Sequence, residues 1–179
     1  MVAGALLAAW VVVAYNRLVR HANLVREAWS GIDVQLKRRH DLVSNLVSVV
    51  QAYANHEKDV LTEVTAARTA AASDSPPGDL QRHENTLTGR LQSLLAVAEA
   101  YPQLLADRSF ADLHDQLVET EDRLQMARRY FNGTVRDYNI RVESFPSNLV
   151  AHVLGFEIRE FFELASATER NAPEVRIAT

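Results

Sequence analysis

The chain opens on an unbroken apolar run. Its first fifteen residues, MVAGALLAAWVVVAY, contain no charged side chain and are almost wholly apolar. As a helix rising ~1.5 Å per residue they extend ~22 Å, short of a hydrocarbon core of ~30 Å. Leu18 and Val19 continue the apolar character, and the arginines beside them can snorkel outward and lengthen the usable span. The pattern predicts a transmembrane helix over residues 1–19, with membrane lipid as its partner.

Two alternatives to this transmembrane helix are open. Val12-Val13-Ala14 would satisfy the small-residue rule of a signal-peptide cleavage site, but no Lys or Arg precedes the run, so the basic n-region is missing. A buried helix of a soluble protein is the second alternative. The shortness of the run also fits a chain start assigned slightly too late. The absent n-region favours the retained span.

A basic stretch follows the apolar run. Between residues 16 and 40 there are six basic side chains against two acidic ones, a net charge of +4. The whole chain carries −4, so residues 41–179 carry −8. By the positive-inside rule this charge pattern places the body of the protein in the cytoplasm. The stretch, here the basic collar, either binds anionic headgroups or is an ordinary solvated helix face. Its members are Arg17, Arg20, Arg26, Lys37, Arg38 and Arg39.

Beyond the span, apolar residues recur at helical spacing and predict one long first helix. This helix continues through His40-Asp41 and is closed by the Ala-rich stretch Thr65–Ala72. A linker follows over Ser73–Asp79, and a second helix over 80–101 is ended or kinked by Pro102. The stripe of the first helix comprises Leu18, Ala22, Val25, Trp29, Ile32, Leu36, Val43, Leu46, Val50 and Tyr53.

A strict interval of seven marks the third helix, which begins at Ser109 as its N-cap and runs for 36 residues. Such a repeat supercoils a helix left-handedly, as in a coiled coil, either within the chain or between copies in a homo-oligomer. The repeat consists of Phe110, Leu117, Leu124, Phe131, Tyr138 and Phe145.

The C-terminal part of the chain contains one further helix. It is predicted over 147–154, with Ser147 as N-cap and Gly155 as its end. Three aromatic side chains are too apolar to remain in water and should pack back on the bundle, namely Phe156, Phe161 and Phe162. The tail after Glu169 is expected to be loose.

These elements predict an all-α protein. An N-terminal transmembrane helix precedes an antiparallel bundle of three long helices plus one short C-terminal helix. The predicted domains are the transmembrane helix (1–19), a cytoplasmic helical bundle (20–169) and a loose C-terminal tail (170–179).

Three groups of motifs occur in order along the chain. The first is Leu36–Val43, reading LKRRHDLV, followed by Asn45-Leu46-Val47, and the second is Leu95–Pro102, reading LAVAEAYP. The third and most specific comprises Tyr130-Phe131-Asn132, Val135–Asn139 and Glu143–Ala151, reading ESFPSNLVA. Together they resemble the bacterial LemA family over nearly the whole chain.

The resemblance implies a small membrane-anchored protein of the bacterial inner membrane, with a short outward N-terminus and a helical body in the cytoplasm. It brings no enzymatic activity, cofactor or catalytic residue. The sequence departs from the family in two places. Ser44 stands where Pro is usual, which softens an expected kink, and Glu157–Glu160 lacks the prolines that favour an extended conformation.

Composition argues against reactive chemistry. Cysteine is absent, which excludes disulfides, thiolate nucleophiles and Cys-type metal sites. None of the six histidines has Glu three residues before it and no His-Glu-x-x-His occurs, so no metal, cofactor or catalytic residues are predicted. The histidines are expected to be solvated surface groups. The acidic body would repel phosphates, which argues against nucleic acid. The histidines are His21, His40, His56, His83, His114 and His152.

Four polar residues form a candidate partner surface beside the short helix: Arg136, Asp137, Asn139 and Asn148. The alternative is structural, with i,i+4 ion pairs along the helix and capping of the turn after Pro146, and it is the favoured reading.

The sequence thus predicts a membrane-anchored, non-enzymatic scaffold or adaptor that binds protein partners of unknown identity. The alternative is a signalling or envelope-stress sensor that transmits through the long first helix.

Overall fold

The computed structural model describes residues 2–73 and 77–163, and every regular element in these ranges is a helix. The prediction of an all-α protein is therefore confirmed. The predicted tail over 170–179 lies outside the described residues. The helices are α1 (Val2–Tyr53), α2 (Lys58–Ala71), α3 (Pro77–Glu99), α4 (Pro102–Leu105), α5 (Arg108–Glu143) and α6 (Ser147–Val153).

The described residues fall into two compact units. Unit 1 contains residues 2–36 and 121–162, and unit 2 contains 37–73, 77–120 and 163. The helices α1 and α5 contribute residues to both units. The domain boundaries expected from the sequence stay a prediction.

The first helix ends at the last residue of its apolar stripe, earlier than the predicted end in the Ala-rich stretch. It continues through His40-Asp41 as predicted, but α1 stops at Tyr53 and the Ala-rich stretch belongs to a separate helix, α2. The amide of Glu57 donates to the Ala54 carbonyl at 3.0 Å, which closes a tight turn in place of the next helical bond. The chain then reverses, because Arg68 Nε in α2 reaches the carbonyl oxygen of His40 at 3.4 Å.

Unit 2 is an antiparallel bundle of segments from α1, α2, α3 and α5 together with the short turn α4. Its core consists of sixteen buried side chains, almost all aliphatic, contributed by every segment. α2 runs back along α1 and pairs with α3 through Glu63 and Arg90, whose charged atoms are 2.8 Å apart. α5 is antiparallel to α1, since the Tyr53 hydroxyl donates to Asp107 at 2.6 Å. The long second helix is confirmed, although α3 spans Pro77–Glu99 and Pro102 opens the separate turn α4.

The cap of α5 differs from the prediction by two residues. The Asp107 carboxylate accepts hydrogen bonds from the amides of Ser109 at 2.7 Å and Phe110 at 3.3 Å. Asp107 is thus the N-cap, because it satisfies two amides that the first turn leaves without helical partners. The helix begins at Arg108 and is 36 residues long, as expected.

The seven-residue repeat of α5 is buried within the single chain. Leu124, Phe131 and Tyr138 are each at most 5% exposed in unit 1, and Phe110 and Leu117 belong to the unit 2 core. The last position of the repeat is wrong, because Phe145 lies beyond the helix and is 80% exposed.

The short C-terminal helix is confirmed as α6, and Gly155 follows it with a φ of +71°, which a residue without Cβ adopts freely. Ser147 is not its cap, since Ser147 Oγ donates to the carbonyls of Arg141 and Ser144. The preceding Phe145–Pro146 peptide bond is cis.

The three aromatic residues after α6 have different environments. Phe162 is buried and packs edge-to-face on Trp29, which also contacts Phe131. Phe156 is partly buried and packs against Tyr15, with ring centroids 6.0 Å apart. Phe161 remains 49% exposed, so the expected packing holds for two of the three.

Candidate functional site

Two asparagines of α5 bind the backbone of the non-helical segment that follows α6. Asn139 donates through Nδ2 to the carbonyl of Arg159, and its Oδ1 accepts the amide of the same residue, both at 2.8 Å. Asn132 makes the same pair of bonds with Phe162, at 3.0 and 2.9 Å. An asparagine amide can do this because it offers a donor and an acceptor side by side. We call this arrangement the asparagine clamp.

The spacing of the clamp follows from the two backbone geometries. Asn132 and Asn139 are seven residues apart on a helix, or ~10.5 Å at ~1.5 Å per residue. Arg159 and Phe162 are three residues apart, or ~10 Å at the ~3.3 Å rise of an extended chain. The two lengths agree, so both side chains bind without bending either backbone. The segment keeps an irregular, non-helical path although it lacks prolines.

The clamped segment and α5 enclose a groove in unit 1. Its cavity volume is about 490 Å³. We call it the α5 groove. Apolar side chains alternate with two arginines and two glutamates, so the groove has no excess charge. Its lining residues are Arg136, Asn139, Ile140, Glu143, Ile158, Arg159, Glu160 and Phe161.

The structure brings together part of the predicted partner surface. Arg136 and Asn139 both line the α5 groove, but Asn139 already uses its amide to hold Arg159. Asp137 lines a different, smaller cavity of about 390 Å³. Asn148 lines neither, and its Oδ1 is shielded from solvent with no hydrogen-bond partner. Arg136 is thus the predicted residue best placed to contact a partner in the α5 groove.

The N-terminal part of α1 exposes apolar surface. Within the described ranges, α1 alone is long and apolar enough to cross a membrane. Most large side chains over residues 2–13 are exposed, from Val2 at 75% to Val11 at 37%, and Trp10 is partly buried. Buried positions begin at Ala14, which is 8% exposed, and Leu18 is fully buried, while Tyr15 between them is 43% exposed. Length, composition and exposure of this part are compatible with membrane anchoring.

α6 covers α1 where its exposed apolar run ends. Val150 and Ala151 of α6 form a buried cluster with Ala14 and Leu18. Trp10, Val142 and Phe156 pack partly buried around this cluster. The last part of the predicted span is therefore in contact with protein.

The basic collar is not uniform. Arg17, Arg20, Arg26 and Lys37 are exposed, as a collar on a solvated face requires. Arg38 is partly exposed, and its guanidinium lies 3.8 Å from the Glu119 carboxylate. Arg39 differs from the expectation, because it is 1% exposed and lies inside unit 2. Its side chain is not available to a lipid headgroup.

Arg39 belongs to a buried charge cluster that sequence reasoning missed. Its Nη1 lies 2.5 Å from Glu84 Oε2, and its Nη2 donates to Thr88 Oγ1 at 2.8 Å. His40 Nε2 lies 2.6 Å from the other oxygen, Glu84 Oε1. Glu84 is 0% exposed and His40 is 6% exposed, so His40 is not the solvated group that the sequence predicts. We call Arg39, His40, Glu84 and Thr88 the buried charge cluster.

The chemistry of this cluster is that of a structural ion pair. Each oxygen of Glu84 is occupied by one basic side chain, and a buried charge is tolerated only when it is paired in this way. No group of three His, Asp or Glu suited to a metal ion occurs in the ranges 2–73 and 77–163. The cluster joins α1 to α3 and orients the two helices.

A signal for the cluster is present in the sequence. The stripe of α1 steps by seven from Leu36 to Val43, and Arg39 and His40 fill the inward positions between them. Glu84 fills the equivalent inward position before Leu87 on α3. Basic residues at inward positions of one helix and an acidic residue at an inward position of another indicate a buried ion pair between the two helices.

Comparisons with known proteins agree on one family. A model described as the LemA family matches residues 28–177. Magnetosome protein MamQ 2 of Paramagnetospirillum magneticum is 25% identical over 181 residues, covering 87% of this chain and 66% of the relative. Magnetosome protein MamQ of Magnetospirillum gryphiswaldense is 22% identical, covering 85% and 65%. Protein LemA of Metamycoplasma hominis is 25% identical, covering 87% and 71%. The chain thus spans slightly less than two thirds of the MamQ proteins, at 66% and 65% of their lengths.

Proposed function

The chain belongs to the LemA family, and from that premise we propose that it is a non-enzymatic scaffold or adaptor at the bacterial inner membrane. α1 crosses the bilayer once, the short N-terminus lies outside, and the helical body lies in the cytoplasm. The body presents the α5 groove to a protein partner. The relatives' designation as magnetosome proteins names a place rather than a reaction, which is consistent with such a role.

One observation carries the anchoring part of the proposal. Residues 2–13 of α1 expose apolar side chains along their length, and the same helix continues directly into the exposed arginines Arg17 and Arg20. A helix that is apolar on its exposed surface is costly in water and stable in lipid. The positive charge that follows it supports the cytoplasmic orientation.

The scaffold part rests on the composition of the α5 groove. Ile140, Ile158 and Phe161 offer apolar contact, while Arg136 and Glu143 offer opposite charges for orientation. An exposed concave surface with these groups suits a short segment of another protein.

Cysteine labelling of intact cells tests the topology. The natural chain has no cysteine, so a single introduced Gln103→Cys is the only thiol. We expect a membrane-impermeant maleimide to label Gln103→Cys only after the inner membrane is permeabilised. The same reagent should label Val2→Cys while the inner membrane is still intact. Labelling of Gln103→Cys in intact spheroplasts would contradict the cytoplasmic body.

Photo-crosslinking in living cells tests the scaffold role. A photoreactive amino acid at Ile158, which lines the α5 groove, should give a discrete adduct with one protein. The same amino acid at the exposed Val118 of unit 2 is the matched control and should not give that adduct. Equal adducts at both positions, or none at Ile158, would contradict a partner in the groove.

The continuity of α1 favours a second candidate, a sensor of envelope stress. The helix is unbroken from Val2 to Tyr53, so a shift of the span would be carried along it. Spin labels at positions 16 and 37 of the cysteine-free chain would report this by their distance. A distance that does not change under envelope stress would count against the sensor.

A further inference from the structure

α6 exposes an apolar face beside the one that contacts α1. Its buried residues, Val150 and Ala151, face Ala14 and Leu18. Leu149 and Val153 are four residues apart and therefore share a face of the helix, and they are 58% and 81% exposed. Phe145, in the turn before α6, is 80% exposed. We call Phe145, Leu149 and Val153 the α6 ridge.

The α6 ridge carries no charge. The helix Ser147–Val153 contains no Lys, Arg, Asp or Glu, and His152 is its single titratable side chain. Exposed leucine, valine and phenylalanine side chains are more stable in an apolar environment than in water. Neutral side chains have no electrostatic reason to select anionic headgroups. The chemistry fits the glycerol and acyl-chain region of a bilayer.

The position of α6 along α1 indicates where this surface lies. The exposed apolar run of α1 covers residues 2–13, and α6 packs on the same helix at Ala14 and Leu18. The exposed Arg17 and Arg20 occupy the same stretch of helix as this contact. The element that covers α1 at the end of its lipid-facing run is therefore at the level of the headgroups.

We propose that α6 is an interfacial membrane helix, which inserts the α6 ridge into the cytoplasmic-side acyl boundary next to the point where α1 leaves the bilayer. The inference rests on the proposed membrane anchoring by α1 and goes beyond it, because a second segment, more than 120 residues away in sequence, contacts lipid. The contact would hold the C-terminal part of α5 and the clamped segment close to the membrane.

Site-directed spin labelling of the full chain in phosphatidylcholine vesicles tests this proposal. Single cysteines at Leu149 and Val153 report on the ridge, Val12→Cys reports on the span, and Val34→Cys is the control. The control is matched, since Val34 is exposed and aliphatic at 59% and lies on α1 within unit 1. The depth of each label is measured by comparing its collision rate with oxygen, which is concentrated in the bilayer, and its collision rate with a water-soluble nickel chelate.

We expect the ridge labels to collide preferentially with oxygen, at a depth of about 5–10 Å below the headgroups. The label at Val12 should lie deeper, and the label at Val34 should collide preferentially with the nickel chelate. The ridge labels should reach this depth in phosphatidylcholine alone, without anionic lipid, because the ridge has no charge.

The possible failures are distinguishable. Ridge labels as aqueous as Val34, with Val12 in lipid, would overturn the inference and leave the anchor intact. A label at Val12 that is aqueous would overturn the anchoring proposal and the inference with it. Ridge labels shielded from both reagents, or broadened by a second spin, would indicate a protein partner or a second copy and also overturn the inference.

A variant separates lipid insertion from simple exposure. Leu149→Asp with Val153→Asp places two carboxylates on the ridge without touching the buried side of α6. We expect a label at Phe145 to move from oxygen to nickel collisions in this variant, while the Val12 label does not change. No change at Phe145 would contradict insertion of the ridge.

Discussion

The two units of the molecule treat their apolar side chains differently. Twenty large apolar side chains are exposed in the described ranges, and only Tyr53, Leu105 and Val118 of them belong to unit 2. The other seventeen belong to unit 1, where they include the apolar run of α1 and the α6 ridge. Unit 2 is a bundle that buries almost all of its large apolar side chains in its own core. Unit 1 exposes apolar surface of the kind that marks a contact with a membrane or another protein.

The units also differ in their polar interior contacts. Unit 2 contains the buried charge cluster, in which Glu84 joins Arg39 and His40 between α3 and α1. Unit 1 uses neutral amides instead, with Asn132 and Asn139 holding the backbone of a non-helical segment. The removal of a buried charge partner is more costly than the loss of neutral hydrogen bonds. Unit 2 should therefore be the more sensitive to a single polar substitution.

The largest expected effect is that of Glu84→Gln. The change leaves Arg39 buried without its carboxylate and should lower the free energy of unfolding by about 3–5 kcal/mol. Denaturant titration of the full chain in detergent, followed by circular dichroism, measures this loss. The control is Glu63→Gln, which removes a half-exposed ion pair with Arg90 and should cost about 0–1 kcal/mol. Equal losses for the two variants would contradict the importance of the cluster.

A smaller effect is expected for the asparagine clamp. Asn132→Ala removes two hydrogen bonds to Phe162 and should cost about 1–3 kcal/mol. Hydrogen exchange of the Phe162 amide should become much faster, because Asn132 Oδ1 is its acceptor. Asn132→Asp keeps the acceptor but places a carboxylate oxygen against the Phe162 carbonyl, so the amide should be protected more than in Asn132→Ala and less than in the natural chain. If exchange is unaltered in Asn132→Ala, the clamp does not hold the segment.

The smallest effect concerns the exposed pair at the end of α1. The pKa of Asp107 is lowered, first by the hydrogen bond from the Tyr53 hydroxyl and then by the amides of Ser109 and Phe110. The pKa of Tyr53 is raised by the same hydrogen bond and by the negative charge of Asp107. The stability that comes from the lowered pKa of Asp107 is fully present above the ordinary pKa of an aspartate. It is lost as the pH falls through the lowered pKa of the folded state. The stability that comes from the raised pKa of Tyr53 is fully present below the ordinary pKa of a tyrosine. It is lost as the pH rises through the raised pKa of the folded state.

The thermal midpoints of the Tyr53→Phe variant and the natural chain should therefore differ most between about pH 5 and pH 9. In this range Asp107 is ionised and Tyr53 is neutral. The difference should shrink in acid, where Asp107 becomes protonated, and in alkali, where Tyr53 ionises beside a carboxylate. A difference that is the same at every pH would show that the hydroxyl contributes only packing.

Local signals predicted much of the fold. The seven-residue repeat predicted the buried face of α5 up to Tyr138, and Gly155 predicted the end of α6, since both depend on residues that are close in sequence. The end of α1 was missed because Asn55-His56 is a weak turn signal and the helical phase does not reveal a reversal. The α5 cap was misplaced because Ser109 and Asp107 are both good caps, and only the hydrogen bonds distinguish them.

The candidate site was less predictable. Arg136 and Asn139 were identified as polar residues near the short helix, but the sequence does not reveal that Asn139 binds Arg159 twenty residues later. Likewise, Asn132 meets the backbone of Phe162 thirty residues away. Arg39 differs from the rest of the basic collar because its position on the helix turns its side chain toward the core. The sequence of charges alone does not show this.

The amino-acid sequence alone determined the all-α class, the apolar N-terminal helix with the arginines behind it, and the family. These depend on composition and on periods of three to seven residues, which any helix expresses before it packs. The tertiary structure alone decided which polar groups are paired inside and which apolar groups remain outside. Glu84 reaches Arg39 and His40, and α6 reaches α1, through contacts between residues far apart in the chain. Such pairings depend on how the helices are arranged in space, and no local pattern encodes that arrangement.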